Sequence, residues 1–362
     1  MRWIIRGLMI VALAGAVVLG GLHLLQPQIA EMAFRRALSE NIARDRSTEL
    51  PDGLHVFVCG AGSPMPDPYR AGPCLGILAG ERAFLIDAGS GGARNLARMG
   101  FPTGKLEGIY LTHLHSDHID GLGETLMQAW IAGGRTEPLT VTGPVGTSEV
   151  VAGFNAAYRI DSGYRTAHHG VGIADPAGFG GAAAEVRLPA GPGAQAVLLE
   201  DADLKIVAFA VDHAPVEPAF GFRIDYRGRS AVISGDTVYH PGLVGIARGA
   251  DLLLHEALEP DMVRAMSEAA AARGADRLAT VFADILDYHA SPADAVRAAT
   301  EAGVGHLVLV HIVPPLPSRM LDRRFIGEAG RGYQGKLTLA RDGLLVSLPE
   351  GSDRVSYTPL FR

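Results

Sequence analysis

From residue 54 to residue 313, short apolar runs alternate with Gly, Pro and polar residues. Short runs rich in Val, Ile, Leu and Phe predict buried strands, and apolar residues at helical spacing predict helices between them. The predicted strands are 54–58, 74–78, 83–86, 108–112, 204–211, 220–225, 230–234, 251–255 and 306–312, and the predicted helices are 119–132, 241–248, 260–273 and 293–302. Two strand-rich halves with outer helices predict an α/β fold, a sandwich of two mixed sheets flanked by helices.

One predicted helix has a recognisable start and end. Ser291 is a good N-cap, Pro292 suits the first helical position, and Asp294 completes a capping-box pattern. Gly303 can end the helix, because glycine adopts the left-handed conformation without a steric penalty.

The N-terminal part has a different pattern, since residues 7–25 are apolar except for His23. About 19 residues at about 1.5 Å each span about 28 Å, close to the hydrocarbon thickness of a bilayer. We therefore predict an N-terminal hydrophobic helix that anchors the protein in a membrane and a main domain that faces the periplasm. The alternatives are a cleaved signal, which leaves a secreted or periplasmic protein, and a buried core helix. The predicted division is 1–30 anchor or signal, 31–53 connector and 54–362 main domain.

Composition narrows the class of protein. An apolar content of 48% over 362 residues supplies a sizeable core, so disorder is not the default interpretation. The formal charge of -7 argues against a nucleic-acid partner, because proteins that bind nucleic acid place clustered Lys and Arg against phosphates. The only two cysteines, Cys59 and Cys74, are compatible with one disulfide or with two thiols.

One short segment concentrates metal-binding side chains. His113, His115, Asp117 and His118 supply imidazole and carboxylate donors, which zinc accepts in catalytic sites that leave a position open for water. In an extended chain His113 and His115 point to the same side, so they can hold one ion together. Asp117 and His118 lie where the chain turns toward the next helix and can face a second ion. A solvated polar cluster is the alternative, but strand 108–112 would deliver this loop to a sheet edge.

This segment resembles the signature of the metallo-β-lactamase superfamily, and neighbouring motifs narrow the resemblance. They are similar to the ribonuclease Z-like branch, and within it to the zinc-dependent arylsulfatase-like group, over about residues 54–313. The motifs are Cys59-Gly60-Ala61-Gly62-Ser63-Pro64, Leu85-Ile86-Asp87-Ala88-Gly89 and His115-Ser116-Asp117-His118-Ile119-Asp120-Gly121. The resemblance implies the αββα sandwich of that superfamily.

The resemblance also implies three further metal ligands, His213, Asp236 and His311, each close to the end of a predicted strand. Imidazole and carboxylate sites accept several first-row metals, so Mn²⁺ or Fe²⁺ can replace Zn²⁺. In the implied arrangement His113, His115 and His213 hold one zinc ion, Asp117, His118 and His311 hold the other, and Asp236 bridges them.

Other positions match supporting or catalytic residues of the same branch. His289 matches a histidine that lies beside the metals, which makes it a general acid or an oxyanion stabiliser that acts with Asp236 and Asp117. Asp87 and Glu256 match residues that would orient metal-bound imidazoles.

We predict a dinuclear zinc hydrolase whose metal-bridging hydroxide cleaves sulfate or phosphate esters of small aryl alcohols, as an arylsulfatase or a phosphodiesterase does. The alternatives are a tRNA 3′-end processing endoribonuclease of the ribonuclease Z type, a β-lactamase or lactonase, and a metal-free scaffold. Between residues 141 and 200 the only basic residues are Arg159, Arg165 and Arg187, which is a poor surface for tRNA. The predicted partners are therefore a small-molecule ester and a membrane; nucleic acid is not expected, and a homodimer is left open.

Overall fold

The computed structural model of the chain describes residues 2–189, 191 and 193–361, without the side chains of residues 10–12, 14 and 16–19. The chain divides into two compact units, Met1–Arg44 and Asp45–Arg362. The first unit consists mainly of helix α1 (Arg2–Asn41). The C-terminal part of this helix carries charged side chains on its exposed surface, and Arg35 lies 2.6 Å from Glu31.

The N-terminal segment is helical, as predicted, but it does not support the predicted membrane anchor. A membrane-spanning helix needs about 20 consecutive apolar residues. No helix among the described residues is both long enough and apolar enough to cross a membrane. The prediction treated residues 7–25 as one apolar stretch, and several of their side chains lie outside the described part of the chain. The predicted anchor, the membrane as a partner and the periplasmic placement that depended on them are therefore wrong.

The first sheet of the second unit has eight strands among the described residues. The strands are β1 (Gly53–Gly60), β2 (Cys74–Ala79), β3 (Arg82–Ile86), β4 (Leu106–Tyr110), β5 (Leu139–Gly143), β6 (Gly181–Glu185), β14 (Leu344–Pro349) and β15 (Ser356–Pro359). They pair in the order β15-β14-β1-β2-β3-β4-β5-β6. Strands β3 and β4 are parallel, so their carboxyl ends bring Asp87 and His113 to the same sheet edge.

The second sheet has seven strands and is also mixed. The strands are β7 (Gln195–Glu200), β8 (Leu204–Ala210), β9 (Phe220–Tyr226), β10 (Arg229–Ile233), β11 (Leu252–Leu258), β12 (His306–Val313) and β13 (Lys336–Leu339). They pair in the order β13-β12-β11-β10-β9-β8-β7. Strands β10, β11 and β12 are parallel, and β8 runs in the same direction because it is separated from β10 by one antiparallel strand. One edge of this sheet therefore receives the residues that follow β8 and β10 and the last residues of β12.

Helices cover the outer faces of both sheets. Buried side chains of both sheets, such as Phe84 and Phe222, form the apolar layer between them. Leu126 packs against the outer face of the first sheet, and Ala299 packs against the second. This arrangement confirms the predicted sandwich of two mixed sheets flanked by helices. The helices are α2 (Gly92–Met99), α3 (Ser116–Ile119), α4 (Leu122–Gly133), α5 (Thr147–His169), α6 (Pro241–Ala247), α7 (Pro260–Ala271), α8 (Asp276–Asp284), α9 (Pro292–Ala302) and α10 (Asp322–Ile326).

Helix α9 begins with the predicted capping box. The Ser291 hydroxyl accepts a hydrogen bond from the Asp294 backbone N–H at 3.1 Å, and the Asp294 carboxylate accepts one from the Ser291 backbone N–H at 3.0 Å. Gly303 ends the helix with a φ of 70°. The hydrogen bonds of Ser291 and Asp294 set the start of the helix, and the left-handed conformation of Gly303 sets its end.

We expect Ser291→Ala to lower the free energy of unfolding by about 1 kcal/mol, because one backbone donor at the helix start loses its acceptor. Urea denaturation of the full chain measures this change. Ser291→Thr is the matched control and should cost less, since threonine keeps the hydroxyl. Equal stability of the wild type and Ser291→Ala would contradict the capping argument.

Candidate dinuclear metal site

The loop after β4 places four of the predicted ligands at the sheet edge. His113 lies in the loop, His115 has extended backbone directly before the short helix α3, and Asp117 and His118 belong to this helix. His113 Nε2 lies 2.9 Å from His115 Nδ1. His113, Asp117 and His118 are buried, and His115 is partly exposed. The spacing in this motif therefore produces one compact group of donors.

The second sheet supplies the other three predicted ligands. Asp236 is buried at the centre, and its Oδ2 lies 3.2 Å from His311 Nε2 and 3.3 Å from His118 Nε2. The same oxygen lies 3.9 Å from His113 Nε2 and 4.0 Å from His213 Nε2. One carboxylate oxygen thus faces four imidazoles, two from each sheet.

His311 reaches the cluster because β12 is irregular at this residue. The register of β11 and β12 skips His311 between Val310 and Ile312, and His311 has a φ of 45°. A bulge changes the direction of a side chain, and a left-handed conformation is unusual for a residue other than glycine. The bulge lets His311 Nε2 lie 3.2 Å from Asp117 Oδ2.

The seven predicted ligands fall into two groups of side chains that could hold a metal, and a third group that overlaps them contains Asp236, His289 and His311. Within each group the nearest donor atoms of all members lie within 4.8 Å of one another. This division agrees with the pairing that the resemblance implies, with Asp236 between the two groups. Ligation of metal by these residues remains a prediction. One group contains His113, His115, His213 and Asp236, and the other contains Asp117, His118 and His311.

The donor set fits a pair of metal ions on two further observations. His118 Nε2 is buried and makes no hydrogen bond within the described part of the chain, although it faces the Asp236 and Asp117 carboxylates. Burial holds the pKa of His113 well below its usual value, so this imidazole is neutral and able to donate a lone pair to a metal.

Several residues around the cluster orient the predicted ligands. The Asp87 carboxylate accepts hydrogen bonds from the Thr112 backbone N–H and hydroxyl at 2.8 Å each, and its Oδ2 lies 2.8 Å from His118 Nδ1. His213 Nδ1 lies 2.9 Å from the Tyr288 backbone oxygen. A fixed hydrogen bond on one ring nitrogen sets the direction of the other, which is the position that a metal uses. The motifs indicated Asp87, but no signal in the sequence identifies a backbone oxygen such as that of Tyr288.

His289 lies beside the cluster, and Glu256 orients its ring through a hydrogen bond. Its Nδ1 lies 2.9 Å from Glu256 Oε1, which also accepts hydrogen bonds from the backbone N–H groups of Thr237 and Ala290 at 3.1 Å. The ring centroid is 5.4 Å from that of His311. Burial lowers the pKa of His289, but the charge of Glu256, its hydrogen bond and the charge of Asp236 together raise it to about 9. A raised pKa favours the protonated form of this imidazole.

A cleft of about 1370 Å³, which we call the Arg98 cleft, opens beside Asp117 and Asp120. One wall is the segment 60–73, which is closed at its ends by a disulfide between Cys59 and Cys74. The two cysteines therefore form a bridge, which is one of the two states that the sequence left open. Sequence reasoning missed this cleft, because its lining residues come from distant parts of the chain.

The sandwich and the buried His and Asp cluster define the class of protein as a metallo-β-lactamase-fold hydrolase. A family described as beta-lactamase superfamily domain matches residues 82–312. Proteins named Ribonuclease Z from Mycobacterium avium and Mycobacterium bovis are 39% and 37% identical to this chain over 293 residues, and each match covers 80% of this chain and 96% of the relative. The chain belongs to the metallo-β-lactamase superfamily and, within it, to the ribonuclease Z-like branch.

Solved structures agree on the fold. Human tRNase Z, short form, has a TM-score of 0.58 and 22% identity, with 82% of this chain and 99% of that chain covered. A metallo-β-lactamase fold protein from Bacillus subtilis has a TM-score of 0.56 and 21% identity, with 82% and 100% covered. At this identity the likeness shows the fold alone.

The relatives correct two predictions. The main prediction, a hydrolase of small aryl sulfate or phosphate esters, is wrong, because the relatives are named for a ribonuclease and match the first alternative instead. The prediction that nucleic acid is not a partner is wrong for the same reason. Its physical basis was the net charge of -7, which averages over the whole chain and carries no information about local clusters of arginine. The resemblance to the arylsulfatase-like group has no support among these relatives.

Proposed function

We propose that this protein is a tRNA 3′-end processing endoribonuclease of the ribonuclease Z type that works with two zinc ions. The 39% identity to the Mycobacterium avium Ribonuclease Z over 96% of that protein is the observation that carries the proposal. The gathering of all seven candidate ligands, from the adjoining edges of the two sheets, supports it. We also propose that residues 54–362 contain the whole catalytic apparatus.

In this proposal the seven residues hold the metal pair. His113, His115 and His213 would hold one ion, Asp117, His118 and His311 would hold the other, and Asp236 lies between the two groups. When bound, two zinc ions would lower the pKa of a coordinated water toward about 7 and neutralise charge on a phosphate.

The protein side chains then control orientation and proton transfer. His289, which Glu256 holds through Nδ1 at 2.9 Å, has its other ring nitrogen available to the substrate. It would donate a proton or a hydrogen bond to the oxygen that leaves phosphorus, and Glu256 would stabilise its charge. Asp87 and the Tyr288 backbone oxygen keep His118 and His213 directed at the ions.

A comparison of substrates tests the proposal. Purified full-length protein, loaded with Zn²⁺, is incubated with precursor tRNA, a bis-aryl phosphate, an aryl sulfate and a chromogenic β-lactam. We expect cleavage of precursor tRNA at the 3′ end of the tRNA body, mapped by sequencing of the products. Turnover of an aryl sulfate or a β-lactam with intact precursor tRNA would reject the proposal.

Removal of metal is the second arm of this experiment. Dialysis against a chelator should abolish cleavage of precursor tRNA, and addition of Zn²⁺ should restore it, since the activated water depends on the ions. Elemental analysis should give about two zinc ions per chain in the active sample, as a two-metal site requires. Full activity of protein that contains no metal would contradict the metal assignment.

A further inference from the structure

We infer that the Arg98 cleft binds the single-stranded 3′ extension of the RNA substrate, on the far side of the scissile phosphate from the tRNA body. This inference rests on the proposed function. Asp117 belongs both to the cluster and to the lining of the cleft, so the cleft lies next to the candidate metal site. Its other lining residues supply the contacts that a single strand needs.

Two arginines of the cleft are the first of these contacts, and they share its lining with the carboxylates of Asp67, Asp117, Asp120 and Asp342. Arg98 in α2 and Arg319 in the turn before α10 both line the cleft and are exposed. Within the described part of the chain, neither guanidinium forms an ion pair with a carboxylate. Arg98 donates to the Asn95 side-chain oxygen at 3.0 Å and lies over the Phe361 ring at 3.9 Å. Both charges are therefore available to phosphates.

The other arginines of the cleft are already neutralised. Arg94 lies 2.8 Å from Glu124, and Arg341 forms two hydrogen bonds with Asp322 at 2.8 and 2.9 Å. Arg70 is buried against Asp67. A carboxylate partner competes with a phosphate for the guanidinium, so these three contribute less to RNA binding. Arg98 and Arg319 are the two that the inference requires.

An exposed aromatic ring favours a single strand over a duplex. Tyr69 lines the same cleft with 55% of its surface exposed. Proteins hold single-stranded nucleic acid with a positively charged groove and aromatic rings on which bases stack. Duplex RNA offers no free base faces and is recognised by its shape and its 2′-hydroxyls. The combination of Tyr69 with two free arginines therefore fits the unpaired extension and not the paired tRNA body.

The wall that carries Tyr69 is fixed before RNA binds. Asp342 accepts hydrogen bonds from the backbone N–H groups of Ala61 at 3.0 Å and Ala71 at 2.7 Å. The Asp67 carboxylate accepts one from the Tyr69 backbone N–H at 2.7 Å. A site that is already ordered loses less conformational entropy on binding.

The experiment compares the double variant Arg98→Gln and Arg319→Gln with wild-type enzyme on two precursor tRNAs, which carry a one-nucleotide and a ten-nucleotide 3′ extension. We expect the ratio of kcat/KM for the long to the short extension to fall about tenfold. Binding to the long precursor is measured in the inactive Asp236→Ala background with and without the two arginine substitutions, at several salt concentrations. The slope of the logarithm of the binding constant against the logarithm of salt concentration should be smaller by about 1.4 in the variant that lacks both arginines, because two single-strand phosphate contacts disappear. Tyr69→Leu should lower the same ratio with an unchanged salt slope, since stacking involves no counterion release.

Arg264→Gln is the matched control, because Arg264 is exposed and lies outside the cleft. It should leave the ratio and the salt slope unchanged. Equal losses of the double variant on both extensions, or an unchanged salt slope, would overturn the inference. Wild-type enzyme that cleaves neither precursor would instead reject the proposed function, so the two failures are distinguishable.

Discussion

Asp236→Ala is expected to abolish cleavage of precursor tRNA and to remove most of the bound metal. Asp236 Oδ2 lies within 4.0 Å of four imidazole nitrogens that belong to both groups of candidate ligands. Removal of a residue that only orients a metal ligand lowers metal affinity or activity about 10- to 100-fold. Removal of the Asp236 carboxylate, which lies between the two groups of candidate ligands, should therefore lower metal affinity and activity by more than about 100-fold. Elemental analysis and a cleavage assay measure the two effects.

Asp353→Ala is the control for this variant, because Asp353 is exposed. It should retain activity and the full metal content. Circular dichroism should show that Asp236→Ala is folded, so that metal loss can be assigned to the site. A folded Asp236→Ala protein with two ions per chain would refute the bridging role.

His289→Ala is expected to keep the metal pair and to slow cleavage by about 10²- to 10⁴-fold, the range for a general acid. His289 Nδ1 is held 2.9 Å from Glu256 Oε1, and His289 is not among the seven predicted ligands, although it lies close to Asp236 and His311. The metal content and kcat are measured on the same samples. Loss of zinc equal to that of Asp236→Ala would show that His289 is a ligand and would refute the proton-donor role.

Glu256→Gln tests whether the charge of Glu256 controls the pKa of His289. Glutamine keeps the side-chain shape but removes the charge that raises the pKa of His289 to about 9. His289 should then lose its proton at a lower pH. In a plot of kcat against pH, the decrease of kcat on the alkaline side should therefore begin at a lower pH. An unchanged profile would mean that His289 does not act as the acid.

The strand pattern and the metal motif made much of the sandwich and the cluster predictable. Strands such as β2 and β3 appear in the sequence as continuous apolar runs because they are buried on both faces. The candidate ligands lie at or just after strand ends, where parallel strands bring distant residues together. His213 and His311 are about 100 residues apart in sequence, and the strand order places them at one edge.

Helix α5 was not predicted, and its burial explains why. Of its residues, Thr147, Val151 and Ser162 are buried, so little of the helix carries the apolar periodicity from which helices are recognised. The bulge at His311 also left no sequence signal, since it depends on the register of β12 against β11.

The substrate class was mispredicted for a related reason. Arg98 and Arg319 are far apart in the sequence, and neither belongs to a run of basic residues. Only the fold places them in one cleft. The small number of basic residues in 141–200 argued against tRNA, but this part of the chain does not line the cleft.

The candidate ligands come from two sheets, and the apolar layer between the sheets sets their separation. Tyr110 of β4 and Phe222 of β9 pack in this layer with ring centroids 5.8 Å apart. Protein interiors are close-packed, so a change in the volume of such a side chain shifts its neighbours. The thickness of the interior therefore sets the distance between the two groups of candidate ligands, and we expect substitutions in this layer to change metal affinity without replacing a candidate ligand.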